Sequence, residues 1–177
     1  MLDNAMYQIV LPIIRTGLTA RGLSDVVVTQ SDQPTHQGAV SARAVYLFKI
    51  GNEPFGYPRR DDVWGGAAEI HTEEQWDEAT FQISALVTEN PADSNSLTAS
   101  DIVNIVKNIM QSDATRATLK NAGLGILRIA SVRNPILKDD RDNFEASPSF
   151  DFILTDISTD TSVSPVANSV VFNIHRV

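Results

Sequence analysis

The stretch Gln75-Trp76-Asp77-Glu78-Ala79-Thr80-Phe81-Gln82-Ile83-Ser84-Ala85-Leu86-Val87 alternates two kinds of side chain. Ala79, Phe81, Ile83, Ala85 and Val87 point one way, while Glu78, Thr80, Gln82 and Ser84 point the other. A period of two marks a strand with one buried and one polar wall. One open wall fits an antiparallel or mixed sheet covered on a single face.

What covers it is readable on either side. Ile102, Val103, Ile105, Val106, Ile109 and Met110 form a broad apolar stripe at helical spacing, ending near residue 111. Thr98 is a natural N-cap, with Asp101 three residues on as its capping-box partner. Residues 113–121 read as a second, short helix ending near Gly123. Residues 4–16 place Met6, Ile9, Val10, Ile13 and Ile14 at helical spacing. Pro12 should kink or restart that helix, because it removes a backbone hydrogen bond. Gly17 and Gly22 should then break it.

Further strands are expected at 23–28, 42–50, 126–132 and 149–157. Residues 53–68, punctuated by Pro54, Gly56, Pro58, Gly65 and Gly66, read as a long turn-rich excursion. The first half of the next strand pair, about 67–74, is less clear. Residues 138–149 read as a polar loop, and 160–168 as a Ser/Thr-rich, turn-like tail. Val170 to Val177 would be an edge strand or a docking arm. The expected class is α+β: a mostly antiparallel or mixed sheet, helices on one face, and a long protruding hairpin or loop. Residues 1–159 would be one domain and 160–177 a C-terminal tail.

Charge is concentrated in one place. Residues 61–99 hold nine Asp or Glu and no Lys or Arg, so the whole net charge of -8 originates there. Trp64 and Trp76 lie in the same stretch. An acidic balance, with a pI near 4.7, argues against general nucleic-acid binding, which rests on a basic footprint. It leaves open a protein that DNA passes without adhering. Cys is absent, which removes disulfides, thiol catalysis and thiolate metal sites. No apolar run reaches the length of a membrane helix. The start, Met1-Leu2-Asp3-Asn4, lacks the basic flank of a secretory signal, so the expectation is assembly in the cytoplasm.

No catalytic constellation stands out. His36, His71 and His175 lie far apart, in three different elements, and none has metal-ligand spacing. Gly123-Leu124-Gly125 precedes a strand and cannot open a dinucleotide-binding helix. Asp139, Asp140, Asp142 and Glu145 miss calcium-loop spacing and surround Arg141, so a solvated loop is expected. Glu73, Glu74, Asp77 and Glu78 have no substrate pocket suggested around them. Neither a cofactor nor a metal is expected.

Taken in order, these features resemble the tail terminator, or neck terminator, proteins of long-tailed and contractile-tailed bacteriophages. The likeness rests on an N-terminal helix, then Ser31-Asp32-Gln33-Pro34-Thr35, Gln37 and Gly38. A strand through Tyr46, the loop Gly56 to Pro58 and the acidic region follow. Next come Thr80 to Ala85, the helix Ala99 to Met110, Gly123 to Ile126, and Phe150-Asp151-Phe152. The resemblance implies a structural virion protein, with no active site, that forms a ring, usually a hexamer. The ring would cap the tail tube, join it to the head-side neck, contact tube or sheath proteins and leave a channel for DNA.

Carried onto this chain, the resemblance puts Gln33, Pro34 and Gly38 at a subunit or ring-to-ring contact. Trp64 to Trp76, with Glu73, Glu74, Asp77 and Glu78, would face a neighbouring subunit, the neck or the tube. Arg59 and Arg60, abutting Asp61 and Asp62, read either as a head-to-tail element of such a ring or as a solvated turn, with Arg43, Arg128 and Arg133 as further bases within the ring. Alternatives are another neck, head-completion, tube or baseplate protein, or a cellular binding module or enzyme. The acidic stretch itself has three readings: a channel wall, a face for a basic partner, or solubilising charge.

Overall fold

A computed structural model describes residues 1–30, 42–66, 68–88, 92–138, 144–146 and 148–165. Gln33, Pro34, Gly38, His36, the 139–142 carboxylates and the Val170 to Val177 arm lie outside them. The elements are α1 (Asp3–Thr19), β1 (Val27–Gln30), β2 (Arg43–Trp64), β3 (Ala68–Val87), α2 (Ala99–Gln111), α3 (Asp113–Asn121), β4 (Gly125–Ile129), β5 (Ile136–Lys138), β6 (Phe144–Ala146) and β7 (Ser149–Pro165). Five strands form a mixed sheet in the order β1-β2-β3-β7-β4, and β5-β6 is a separate pair. Only β1 and β2 run parallel in the large sheet. This is the expected α+β architecture.

Register explains where the core sits. Leu47 pairs with Ile83 and Ile83 with Phe150; Lys49 pairs with Phe81 and Phe81 with Phe152. Directly paired residues share a face, so these apolar side chains form one wall. Met6, Val10, Ile14 and Leu18 of α1 and Ile102, Val103 and Val106 of α2 are buried in the same core cluster. Phe81 stacks on Phe152 at 5.5 Å and meets Tyr7 edge-on at 5.5 Å. The Tyr7 hydroxyl accepts from Lys49 N–H at 2.8 Å, tying α1 to β2. Helices cover one face only.

The capping box forms as expected: Thr98 Oγ1 accepts from Asp101 N–H at 3.2 Å, and Thr98 N–H donates to Asp101 Oδ2 at 3.0 Å. Gly22 (φ 77°) and Gly123 (φ 79°) end α1 and α3 with the same left-handed turn. In each, the residue after the glycine donates back to the helix, Leu23 to Leu18 O and Leu124 to Leu119 O.

Several expectations are corrected. α1 passes through Pro12 and Gly17 to Thr19. Pro12 is exposed. Gly17 is an approach point, where a Cβ would lie 2.6 Å from Ile109 Cγ2. The 53–68 excursion is not a loop: β2 continues to Trp64, paired with β3. Its turn residues are absorbed at register shifts between Lys49 and Gly51 and between Phe55 and Arg59, with Gly56 at φ 72°. β3 already begins at Ala68, so 67–74 is mostly strand. Strand pairs at 136–138 and 144–146 interrupt the expected 138–149 loop. β7 runs on through the turn-like 160–165 as strand.

Candidate interaction surface: the protruding ribbon

Beyond the core, β2, β3 and β7 continue as a three-stranded ribbon. From Ala68 to Glu78 it extends on the order of 35 Å, at about 3.3 Å per residue. No helix residue belongs with it in the core cluster; the buried set stops at Ala79 on β3 and Leu154 on β7. The ribbon exists because its three strands satisfy each other's backbone groups. β3 and β7 pair without a slip from Ala68↔Pro165 to Ser84↔Ser149.

Register divides the ribbon into two faces. On the open face, Phe55, Trp76 and Ile157 stand in one row across the three strands. They are 65%, 52% and 44% exposed. Val63, Ile70 and Val163 form a second row nearer the tip. Glu53, Asp61, Glu74 and Glu78 share that face, with Arg59 beside Glu74. Glu74 and Glu78 thus flank Trp76, as expected of a strand.

The other face is continuous with the helix side of the sheet. It carries Asp62, Glu69, Glu73, Asp77, Asp156 and Asp160, with Arg60, His71 and Trp64 among them. Three pairs of acids stand directly opposite one another: Glu53↔Glu78, Asp77↔Asp156 and Glu73↔Asp160. Like charges in such positions destabilise a sheet. The chain relieves two of these pairs itself: the Met1 amino group is ion-paired with the buried Asp156, and Arg60 reaches Glu73.

The bases are partly occupied within the chain. Arg60 Nε lies 2.9 Å from Glu73, Arg43 3.1 Å from Asp25 and Arg133 2.6 Å from Asp151. These are surface pairs and contribute little to stability. Their effect is positional: Arg60 is turned across the ribbon toward β3.

His71 is the one histidine among the described residues. Its Nδ1 lies 2.7 Å from Asp62 and its Nε2 3.0 Å from Ser164 Oγ. The Asp62 hydrogen bond raises its pKa above the ordinary 6.5; desolvation opposes this, and the charges of Asp62 and Glu69 add to the rise. Donor atoms of Asp62, Glu69 and His71 fall within 4.8 Å of one another. That spacing could admit a cation, but a raised pKa favours the protonated imidazole, which is no ligand.

The site residues read from the sequence are thus partly assembled. Arg59, Arg60, Asp61, Asp62, Trp64, Glu73, Glu74, Trp76, Asp77 and Glu78 all lie on this ribbon, split between its faces. Sequence reasoning missed Phe55, Val63, Ile70, Ile157 and Val163. The signal was there: Ile70 and Trp76 are spaced as Ile157 and Val163 are, six residues apart on two strands that pair.

No curated protein matches the chain. Among solved structures, the chain is similar to the sheath/tube terminator of an extracellular contractile injection system, PVC, in its extended state. That likeness has a TM-score of 0.47 and 11% identity, covering 100% of this chain and 64% of that one. A family described as E217 gateway protein gp29, from phage, matches residues 5–165. The resemblance to tail terminators drawn from the order of sequence features is borne out at the level of this family. With nearly its whole length matched, the chain belongs to the E217 gateway protein gp29 family.

Proposed function

We propose that this chain is a structural subunit of a phage tail, assembling as a ring that ends the tail tube and joins it to the head-side neck. Six copies around an open channel for DNA are the expected arrangement. The observation that carries this reading is the ribbon. It projects from a complete core, exposes two apolar rows and opposes its own acids in pairs. Membership of a family described as a phage gateway protein supports the same structural assignment.

The distal, acidic part of the ribbon is the docking face for a neck, tube or sheath partner carrying a basic surface. Charge complementarity there gives orientation and selectivity more than raw affinity. The helix-side face, with five acids besides the buried, Met1-paired Asp156, also suits a wall past which DNA slides, since like charge repels phosphate.

Native mass and projection images of the chain, alone and with its tail tube partner, test the assembly. A six-fold ring with an open centre is expected, and a monomer in both conditions would overturn it. Replacing Glu73 and Glu74 by Gln, Asp77 by Asn and Glu78 by Gln tests the docking face. Salt-dependent loss of joining is expected. Normal joining with impaired DNA passage would instead favour the channel wall.

A further inference from the structure

Among the described residues, an exposed apolar row and an apolar hollow lie on opposite sides of the sheet. The projection is the row Phe55, Trp76 and Ile157, extended by Leu127 of β4, which is 57% exposed. Phe55, Trp76 and Leu127 line one shallow recess together with Glu78. The hollow is a groove of about 560 Å³ on the outside of the helical layer, between α1 and the α2–α3 corner. Ile9, Pro12, Ile13, Ile109 and Ala114 line it, and Arg21 is its one charged lining side chain.

We infer that the Phe55–Trp76–Ile157 row of one copy seats in the α1–α3 groove of a second copy, head to tail. The inference rests on the ring reading above and names the contact that would build the ring. Dimensions agree. The row spans three strands, on the order of 10 Å, and the groove runs from Gln8 to Arg21 along α1, on the order of 20 Å. Each aromatic ring removes about 150–250 Å² from water when buried. Phe55 and Trp76 are 65% and 52% exposed, so what they have left to bury is roughly a quarter to a third of the ~800 Å² per partner of a standard interface.

Charge selects this partner over the alternative. Glu53, Glu74 and Glu78 flank the row on the same face. Two rows meeting symmetrically would bring those acids together, which disfavours an isologous dimer. The groove offers Arg21 instead. Its guanidinium is exposed and bonded to Gly17 O at 2.9 Å, which holds it at the groove's end. Because projection and hollow lie on opposite sides, one copy cannot fill its own groove. A heterologous contact of this kind propagates and closes into a ring when the rotation allows.

The chain has no cysteine, so introduced thiols are unique. Thr159→Cys places one beside the row, toward the ribbon tip, and Gln8→Cys places one at the groove end away from Arg21. Treated with a short bis-maleimide, the double variant should give a ladder of cross-linked multimers, and neither single variant should. Adding Phe55→Ala and Trp76→Ala should weaken association about 30-fold or more. Glu78→Arg and Arg21→Glu should each weaken it, and together restore it. Both aromatic positions are exposed, so an unchanged thermal melt confirms the fold.

A ring by native mass without a ladder overturns this contact and leaves the ring reading standing. Dimers from Thr159→Cys alone overturn it in favour of rows meeting symmetrically. A ladder that grows into open filaments upholds the contact and overturns the ring. A monomer that gives no ladder, with or without the tube partner, overturns both.

Discussion

Glu73 and Asp160 face each other directly across β3 and β7, on the ribbon face continuous with the helical layer. Arg60 reaches Glu73 at 2.9 Å. Arg60 offsets part of the repulsion between the two acids, and what is left still opposes the pairing of β3 with β7. Replacing Asp160 with Asn should therefore raise thermal stability by a fraction of a kcal/mol, within the roughly 0.2–1 kcal/mol of a cross-strand pair. The gain should shrink as salt rises, because screening already relieves the repulsion. Melts at low and high ionic strength check this, and a loss of stability at low salt would refute the reading of the acids as partner-facing.

Gly17 sets how closely α1 and α2 approach. An added Cβ would meet Ile109 Cγ2 at 2.6 Å and its Cγ1 and Cδ1 at 2.9 Å. Ile109 is buried, so its side chain must shift to admit the methyl group. Alanine in a helix interior gains about 1 kcal/mol over glycine. Overpacking a filled core costs about 1–3 kcal/mol. The clash should win, so Gly17→Ala lowers stability by about 1–2 kcal/mol in chemical denaturation. Pairing it with Ile109→Val should recover part of the loss.

The core strands were legible because burial writes alternation into them: Phe81 and Ile83 on β3, Phe150 and Phe152 on β7. The ribbon was less so, for a physical reason. Asp160 to Ser164 covers no core, so nothing forces a hydrophobic period, and its Ser and Thr residues look turn-like. Pro54, Gly56 and Pro58 are ordinary turn residues, yet β2 is the ribbon's edge strand and tolerates them at a bulge. Acidic residues were placed on the right element. Their opposition in pairs depends on β3–β7 register, which no single stretch of sequence contains.

The capping box at the start of α2 predicts an acid-side dependence. The backbone and side-chain hydrogen bonds from Thr98 lower the pKa of Asp101 below its ordinary 3.8. A lowered folded pKa contributes stability that is present above the unfolded value and lost as pH falls through the folded one. The stability difference between the parent chain and Asp101→Asn should therefore be full at neutral pH and shrink below about pH 4. Thr98→Ala should cost about 1 kcal/mol at neutral pH, as loss of an N-cap does. Urea titrations across this range check both.

His71 responds in the opposite direction. Its pKa is raised, first by the hydrogen bond to Asp62. The pairing energy is therefore fully present below pH 6.5, the ordinary imidazole value, and is lost as pH rises through the higher folded value. Histidine proton resonances should titrate above 6.5, and Asp62→Asn should bring the value down toward it. Because His71 also bonds Ser164 of β7, it links all three strands of the ribbon. Amide exchange at Ile70 and Val163 should accelerate as His71 deprotonates, while exchange at Phe81 and Phe152 in the core stays unchanged. Equal acceleration at both places would show that the imidazole acts on the whole fold and not on the ribbon.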